Sequence, residues 1–170
     1  MRLAIQSFAA VLLLCFANAE KASNAISVRA DYIITDQKAG KSIISGNVHI
    51  TNATDSLKSD EVTLFFDLQT RRALRYEARG AVDFSLQTED GRKLRGKANQ
   101  AIFIVATETY ELHGNASVSE IGKTNSVEGE KIIVNRKNGF ANIAGNKENE
   151  GRRPARIIFE IDKQPNKAAP

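Results

Sequence analysis

Ile43-Ile44-Ser45-Gly46-Asn47-Val48-His49-Ile50-Thr51 is the stretch on which the reading of this chain turns. Two apolar residues lead into a Gly-Asn pair, and Val48 and Ile50 then alternate with His49, the period of a strand with one buried face. The same landmark returns as Gly80-Ala81-Val82, Gly114-Asn115-Ala116 and Gly145-Asn146, so the four glycines stand 34, 34 and 31 residues apart. Each is preceded by an apolar or aromatic patch: Ile43-Ile44, Leu74 with Tyr76, Tyr110 with Leu112, and Phe140 with Ile143. A second landmark alternates with the first, at Ala30-Asp31, Ser59-Asp60, Lys97-Ala98 and Gly129-Glu130. Periods of this length mark supersecondary units that stack to share a core. Each unit reads as strand, turn, strand.

Outward from the repeat, the period of two persists. Ile26, Val28, Ala30 and Tyr32 alternate with Ser27, Arg29 and Asp31, and Val82, Phe84 and Leu86 alternate with Asp83, Ser85 and Gln87. Ala101 to Val105 and Val62 to Phe66 are apolar on both faces, which points to cover on the second side or to a contact between copies. Gln37-Lys38-Ala39-Gly40, Glu89-Asp90-Gly91 and Arg136-Lys137-Asn138-Gly139 are polar turns closing on glycine. After residue 20 no ten-residue stretch carries a helical period. The sequence predicts an all-β fold of antiparallel strands, with a loop over Asn146 to Pro154 and a last strand near Arg156 to Ile161.

The first residues belong to a different class. Met1-Arg2 is a short positive start, Leu3 to Phe16 is mostly apolar, and Ala17-Asn18-Ala19 places small residues where a signal peptidase cuts. Residues 1–19 therefore read as a cleaved signal peptide, 20–162 as one domain and 163–170 as a polar tail. Leu14 stands where a lipoprotein signal has a small residue before Cys15, which argues against lipidation. Cleavage after Ala19 removes the single Cys, the single Met and Arg2, and lowers the net charge from +4 to +3. No thiol remains for catalysis or disulfide formation.

Catalytic signatures are missing. His49 and His113 lie far apart and no His or Cys cluster has metal-ligand spacing. There is no phosphate loop, dinucleotide fingerprint or nucleophile elbow. Asp60-Glu61 and Glu89-Asp90 are adjacent pairs, and neighbours on a strand face opposite ways. The expectation is a non-enzyme with no cofactor and no metal. Basic residues gather at Arg71-Arg72-Arg75, at Arg92-Lys93-Arg95-Lys97 and at Arg152-Arg153-Arg156. Export and the lack of interleaved aromatics argue against nucleic acid as their partner.

The ordered series from Ala30-Asp31 through Gly46-Asn47-Val48-His49-Ile50-Thr51 to Asp60 resembles the OstA-like family of lipopolysaccharide-transport proteins. Tyr110-Glu111-Leu112-His113-Gly114-Asn115-Ala116, followed by Gly129-Glu130-Lys131-Ile132, is similar to that family's later unit. The resemblance covers about residues 26–161 and departs most over the basic stretch Arg152–Ile161. It implies a twisted, open β-jelly roll of two antiparallel sheets whose apolar groove shields the acyl chains of lipid A. It also implies a periplasmic location and head-to-tail homo-oligomers. The partners it implies are LptC-like inner-membrane and LptD-like outer-membrane components, bridged by the assembly. The residues expected to line the groove are Ile26, Val28, Val48, Ile50, Leu64, Phe84, Leu86, Phe103, Val105 and Leu112. Two alternatives remain open at this level: an LptC-type subunit of the same machinery, and a periplasmic β scaffold that binds no lipid.

Overall fold

The computed structural model describes residues 26–88, 91–135, 140–146 and 154–159. The signal peptide, the tail and the Arg136–Gly139 turn of the sequence reading lie outside the described residues. Within them the chain is all β. Ten antiparallel strands run as β1 (Ile26–Arg29), β2 (Tyr32–Asp36), β3 (Lys41–Asn52), β4 (Asp55–Phe66) and β5 (Ala73–Gln87), followed by β6 (Lys93–Ile104), β7 (Thr109–Glu120), β8 (Ser126–Asn135), β9 (Phe140–Ala144) and β10 (Arg156–Ile158). The last strand begins where the sequence places it but ends at Ile158, with Phe159 already outside it, short of the expected Ile161.

From β3 to β8 the strands form one meander in sequence order, with β1 and β2 sharing one edge and β9 and β10 sharing the other. β2 pairs with the first half of β3 and β1 with its second half. β9 and β10 divide β8 in the same way. Each long strand is thus used twice. Register breaks fall between Ser45 and Val48, Lys58 and Glu61, Arg79 and Val82, Lys97 and Gln100, and His113 and Ala116. They align across the sheet and fold it into two facing layers, one holding β2 and β9, the other β1 and β10. The two sheets of the jelly roll are therefore a single hydrogen-bonded sheet creased along one line, open on the side away from the crease.

The repeat is that crease. Gly46, Gly80 and Gly114 have φ of +79°, +75° and +74°, and the following Asn47, Ala81 and Asn115 have φ of 49°, 44° and 50°. Two successive left-handed residues bulge the strand and turn it. Glycine takes that conformation without the steric cost a Cβ brings. A second constraint acts at the same place. A Cβ on Gly46 would overlap the side chain of Asp31, one on Gly80 that of Asp60, and one on Gly114 that of Asn99. The alternating landmark supplies these seated side chains, and in β6 the seat is Asn99, one residue beyond the Lys97-Ala98 pair the sequence marks. At the first corner the Asp31 N–H donates to the Gly46 carbonyl at 2.9 Å, and Asn47 Nδ2 donates to Asp31 Oδ2 at 3.0 Å.

The core lies between the layers in two clusters. Ile44, Val48, Ile50, Val62, Ala78 and Val82 form the first, and Ala98, Leu112, Ala116 and Ile132 the second. Phe84 and Ala101 pack against both and join them. Phe84 has room for its ring because it stands opposite Gly96 in the β5–β6 pair, and a Cβ there would enter the ring.

Substituting Gly80 by Ala adds a strained left-handed alanine and a clash with Asp60, whereas Gly91, at φ +83°, has nothing within 4 Å of a would-be Cβ. Gly80→Ala is therefore expected to lower stability by about 1–3 kcal/mol more than Gly91→Ala. Equilibrium urea unfolding of the two variants measures the difference, and equal losses would contradict the seated-carboxylate account.

Candidate functional site: an apolar interior between two layers

Strand pairing decides which side chains face inward. In the β2–β9 layer, Ile33 stands opposite Ile44, Ile44 opposite Val62, and Val62 opposite Ala78. The row continues through Ala101, Leu112 and Ile132 to Ile143 without one polar side chain. In the facing layer, Val28, Ile50, Leu57 and Phe84 are in register. Beyond Phe84 that row runs through Gly96, Val118 and Val127 to Ile157. Two rows spanning eight strands each thus face one another across the interior.

Burial is uneven along these rows. Ile44, Val62 and Ile132 are 2–4% exposed, whereas Ile33 at one edge is 48% and Ile157 at the other 55% exposed. Many inward residues farther from the crease, including Leu57, Phe84, Leu86, Leu94, Val118 and Val127, are only half-buried. Leu64 and Phe66 stay buried along β4, so the interior opens at both edges and along the β1–β10 layer, unlike a closed sandwich core, which buries its apolar side chains throughout. The rim of the β2–β9 layer is aromatic. Phe103 stacks between Tyr76, at a centroid distance of 6.2 Å, and Tyr110, at 4.4 Å.

Of the ten residues expected from the sequence to line a groove, nine are on inward-facing positions of strands. Val48, Leu64 and Leu112 are buried and Ile50 is 9% exposed. Ile26, Val28, Phe84, Leu86 and Phe103 are half-buried. Val105 differs: the strand ends at Ile104, and Val105 begins the turn to β7, its N–H donating to the Leu74 carbonyl at 3.1 Å. Alternation extended the strand one residue too far. The sequence reading passed over Tyr76 and Tyr110, although both share the parity of the apolar positions Ala78 and Leu112 in their strands. It also passed over the alanines, whose small side chains carry no hydropathy signal of their own.

The outer faces mix polar with apolar side chains, among them Ile43, Phe65, Ile102, Ile104 and Ile133 on the β2–β9 layer, and carry their own fixed charges. Glu77, 6% exposed, lies on the outside of the β2–β9 layer, where Arg75 and Arg79 each approach one of its oxygens at 2.8 Å. The spacing Arg-x-Glu-x-Arg puts all three on one strand face, which is the signal for this clamp. His113 Nε2 lies 2.9 Å from Glu111, whose carboxylate also pairs with Lys131 at 3.7 Å. On the other layer, the hydrogen bond from Arg95, together with the charges of Arg95, Lys97 and Lys58, holds the Asp83 carboxyl below its ordinary pKa. Among the described residues no group of three or more His, Cys, Asp and Glu side chains could hold a metal ion.

Residues 27–140 match the family model described as LptA/(LptD N-terminal domain) LPS transport protein. The chain belongs to this family. Among solved structures it is similar to LptH from Pseudomonas aeruginosa, described as the LptA-homologous periplasmic component of the conserved lipopolysaccharide transport device. The two share 22% sequence identity at a TM-score of 0.64, over 81% of this chain and 96% of that one. No curated protein matches. The LptA/LptD family model begins at β1 and ends at the first residue of β9, so it spans the whole meander and all three creased glycine corners.

Proposed function

We propose that this LptA-like chain is a periplasmic, non-enzymatic carrier that shields the acyl chains of lipopolysaccharide between its two layers. The observation that carries the reading is the pair of apolar rows, each continuous across eight strands, with Val28, Leu57, Phe84, Val118 and Val127 of the β1–β10 row half-buried. An acyl chain laid along them leaves water at a gain of roughly 0.8 kcal/mol per buried CH₂. Sugars and phosphates stay outside because the open side gives them access to solvent. Nothing in such a site performs work, so directional movement draws on energy supplied elsewhere in the machinery.

The edges support assembly. Among the described residues β1 with β2 and β9 with β10 stand at the two sheet edges, and their exposed apolar side chains include Tyr32, Ile33 and Ile34 on one side, Phe140, Ile157 and the adjoining Phe159 on the other. Natural sheets usually blunt such edges with charge, proline or cover. Two different edges pairing head to tail make a heterologous contact that extends without closing. The inner rows, which run out to both edges, would then continue from copy to copy. The same pairing would join the chain to LptC-like and LptD-like components at either end of a bridge between the membranes.

Two measurements test this. A photo-crosslinking residue at Phe103, on the inner face, is expected to capture lipopolysaccharide, while one at Ile104, on the outer face, is not; the reverse pattern would overturn the assignment of the site. For assembly, Ile34→Lys with Phe140→Lys is expected to shift the purified protein from concentration-dependent oligomers to monomer in sedimentation velocity. Unchanged oligomers would exclude these edges as the contact.

A further inference from the structure

The outer face of the β1–β10 layer, among the described residues, sets a basic row beside a hydroxylic one. In register next to the crease, Arg29, Lys58, Lys97 and Arg156 stand on β1, β4, β6 and β10, with Asp83 and Glu128 as the acids of the same row. The next row outward is hydroxylic: Thr51, Ser56, Ser85, Ser119 and Ser126, joined by Arg95 on β6. Ser56 and Ser85 hydrogen-bond to each other at 2.9 Å, and Asp83 pairs with Arg95 at 2.7 Å and with Lys97 at 4.0 Å. Arg29, Lys58 and Arg156 are exposed and make no ion pair among the described residues.

Spacing sets the shape of the partner. Strands lie about 4.8 Å apart, so the cations on β1, β4 and β6, each separated by one strand, recur at about 10 Å, and the row spans about 34 Å in all. A line of cations of that length fits an extended polyanion lying across the strands. Hydroxyls beside it both donate and accept hydrogen bonds, which a polymer rich in hydroxyls and carboxylates or phosphates can use along its length. A lipid surface fits poorly, because membrane-surface binding draws on inserted apolar side chains as well as charge. Here the large exposed apolar residues lie mostly on the edge strands, in turns or near strand ends, among them Tyr32, Leu68, Leu74, Ile121 and Phe140.

We propose that this face docks an extended anionic glycan, held by Lys58, Lys97, Arg29 and Arg156 and hydrogen-bonded by the adjoining serine row. The site is on the opposite side of the sheet from the apolar interior. It goes beyond acyl-chain shielding and does not depend on it. A glycan without acyl chains probes the outer face alone, so failure here and failure of lipid carriage are separate results.

The test is isothermal titration of the full mature chain with a linear polygalacturonate oligomer, at two salt concentrations. The expected result is saturable binding that weakens with salt. Neutral dextran of the same length should not bind, and polyphosphate of the same charge should bind more weakly. Lys58→Gln with Lys97→Gln, which removes both charges without placing new carboxylates beside Asp83, is expected to lower affinity severalfold with the native circular dichroism retained. Ser56→Ala with Ser85→Ala should lower it severalfold, and Arg72→Glu, on the β4–β5 turn, should leave it unchanged. The proposal is overturned by no binding, by equal losses in the Arg72→Glu control, by polyphosphate binding as tightly as the glycan, or by phosphatidylglycerol vesicles displacing it.

Discussion

The rest of the structure depends on a steric exclusion repeated along one line. At each corner a glycine in the left-handed region lies under a carboxylate or amide from the neighbouring strand, with no space left for a Cβ. Because Asp31, Asp60 and Asn99 take their seats on alternate strands, the bulges line up and the sheet creases once instead of twisting smoothly. A meander of strands ten to fifteen residues long would otherwise form a wide twisted ribbon with one face in water. Creased, it covers its own apolar face. The same crease places Ile44, Val62 and Ala78 against Val48, Ile50 and Val82, and so makes the buried core a consequence of the corner.

The crease also limits the core. Side chains next to it are buried, and along the β1–β10 layer burial declines with distance from it, whereas in the β2–β9 layer Leu64 and Phe66 stay buried farther along β4. The second cluster is built from two alanines, a leucine and an isoleucine, and reaches the first through Phe84 and Ala101. The family assignment gives this geometry its meaning. In a chain that belongs to a lipopolysaccharide-transport family, an interior left half-buried along its β1–β10 layer reads as space for an apolar guest. A tighter interior would fold as well and carry nothing.

Much of this was legible in the sequence because its two signals are local. Alternation in Val82-Asp83-Phe84-Ser85-Leu86 reports a face directly, and the Gly-Asn landmark reports a backbone conformation that few other residues accept. The all-β class and nine of the ten inward positions follow from these. What escaped was non-local. Alternation cannot say where a strand stops, so Val105 was carried into a turn. It does not reveal that Gly46 faces Asp31 across a strand pair, which makes the two landmarks one device, or that the third seat is Asn99. Nor does hydropathy identify alanines as lining, or a glutamate such as Glu77 as buried on the outer face between two arginines.

The central claim is that the space between the creased layers, and not the outside of either one, receives the acyl chains. Nitroxide labels at Leu86, which faces inward, and at Gln87, its exposed neighbour on the opposite face, test it most directly. Electron paramagnetic resonance on titration with lipopolysaccharide should show the label at position 86 losing mobility and polarity while that at 87 is unchanged. A response at 87 with none at 86 would contradict the account.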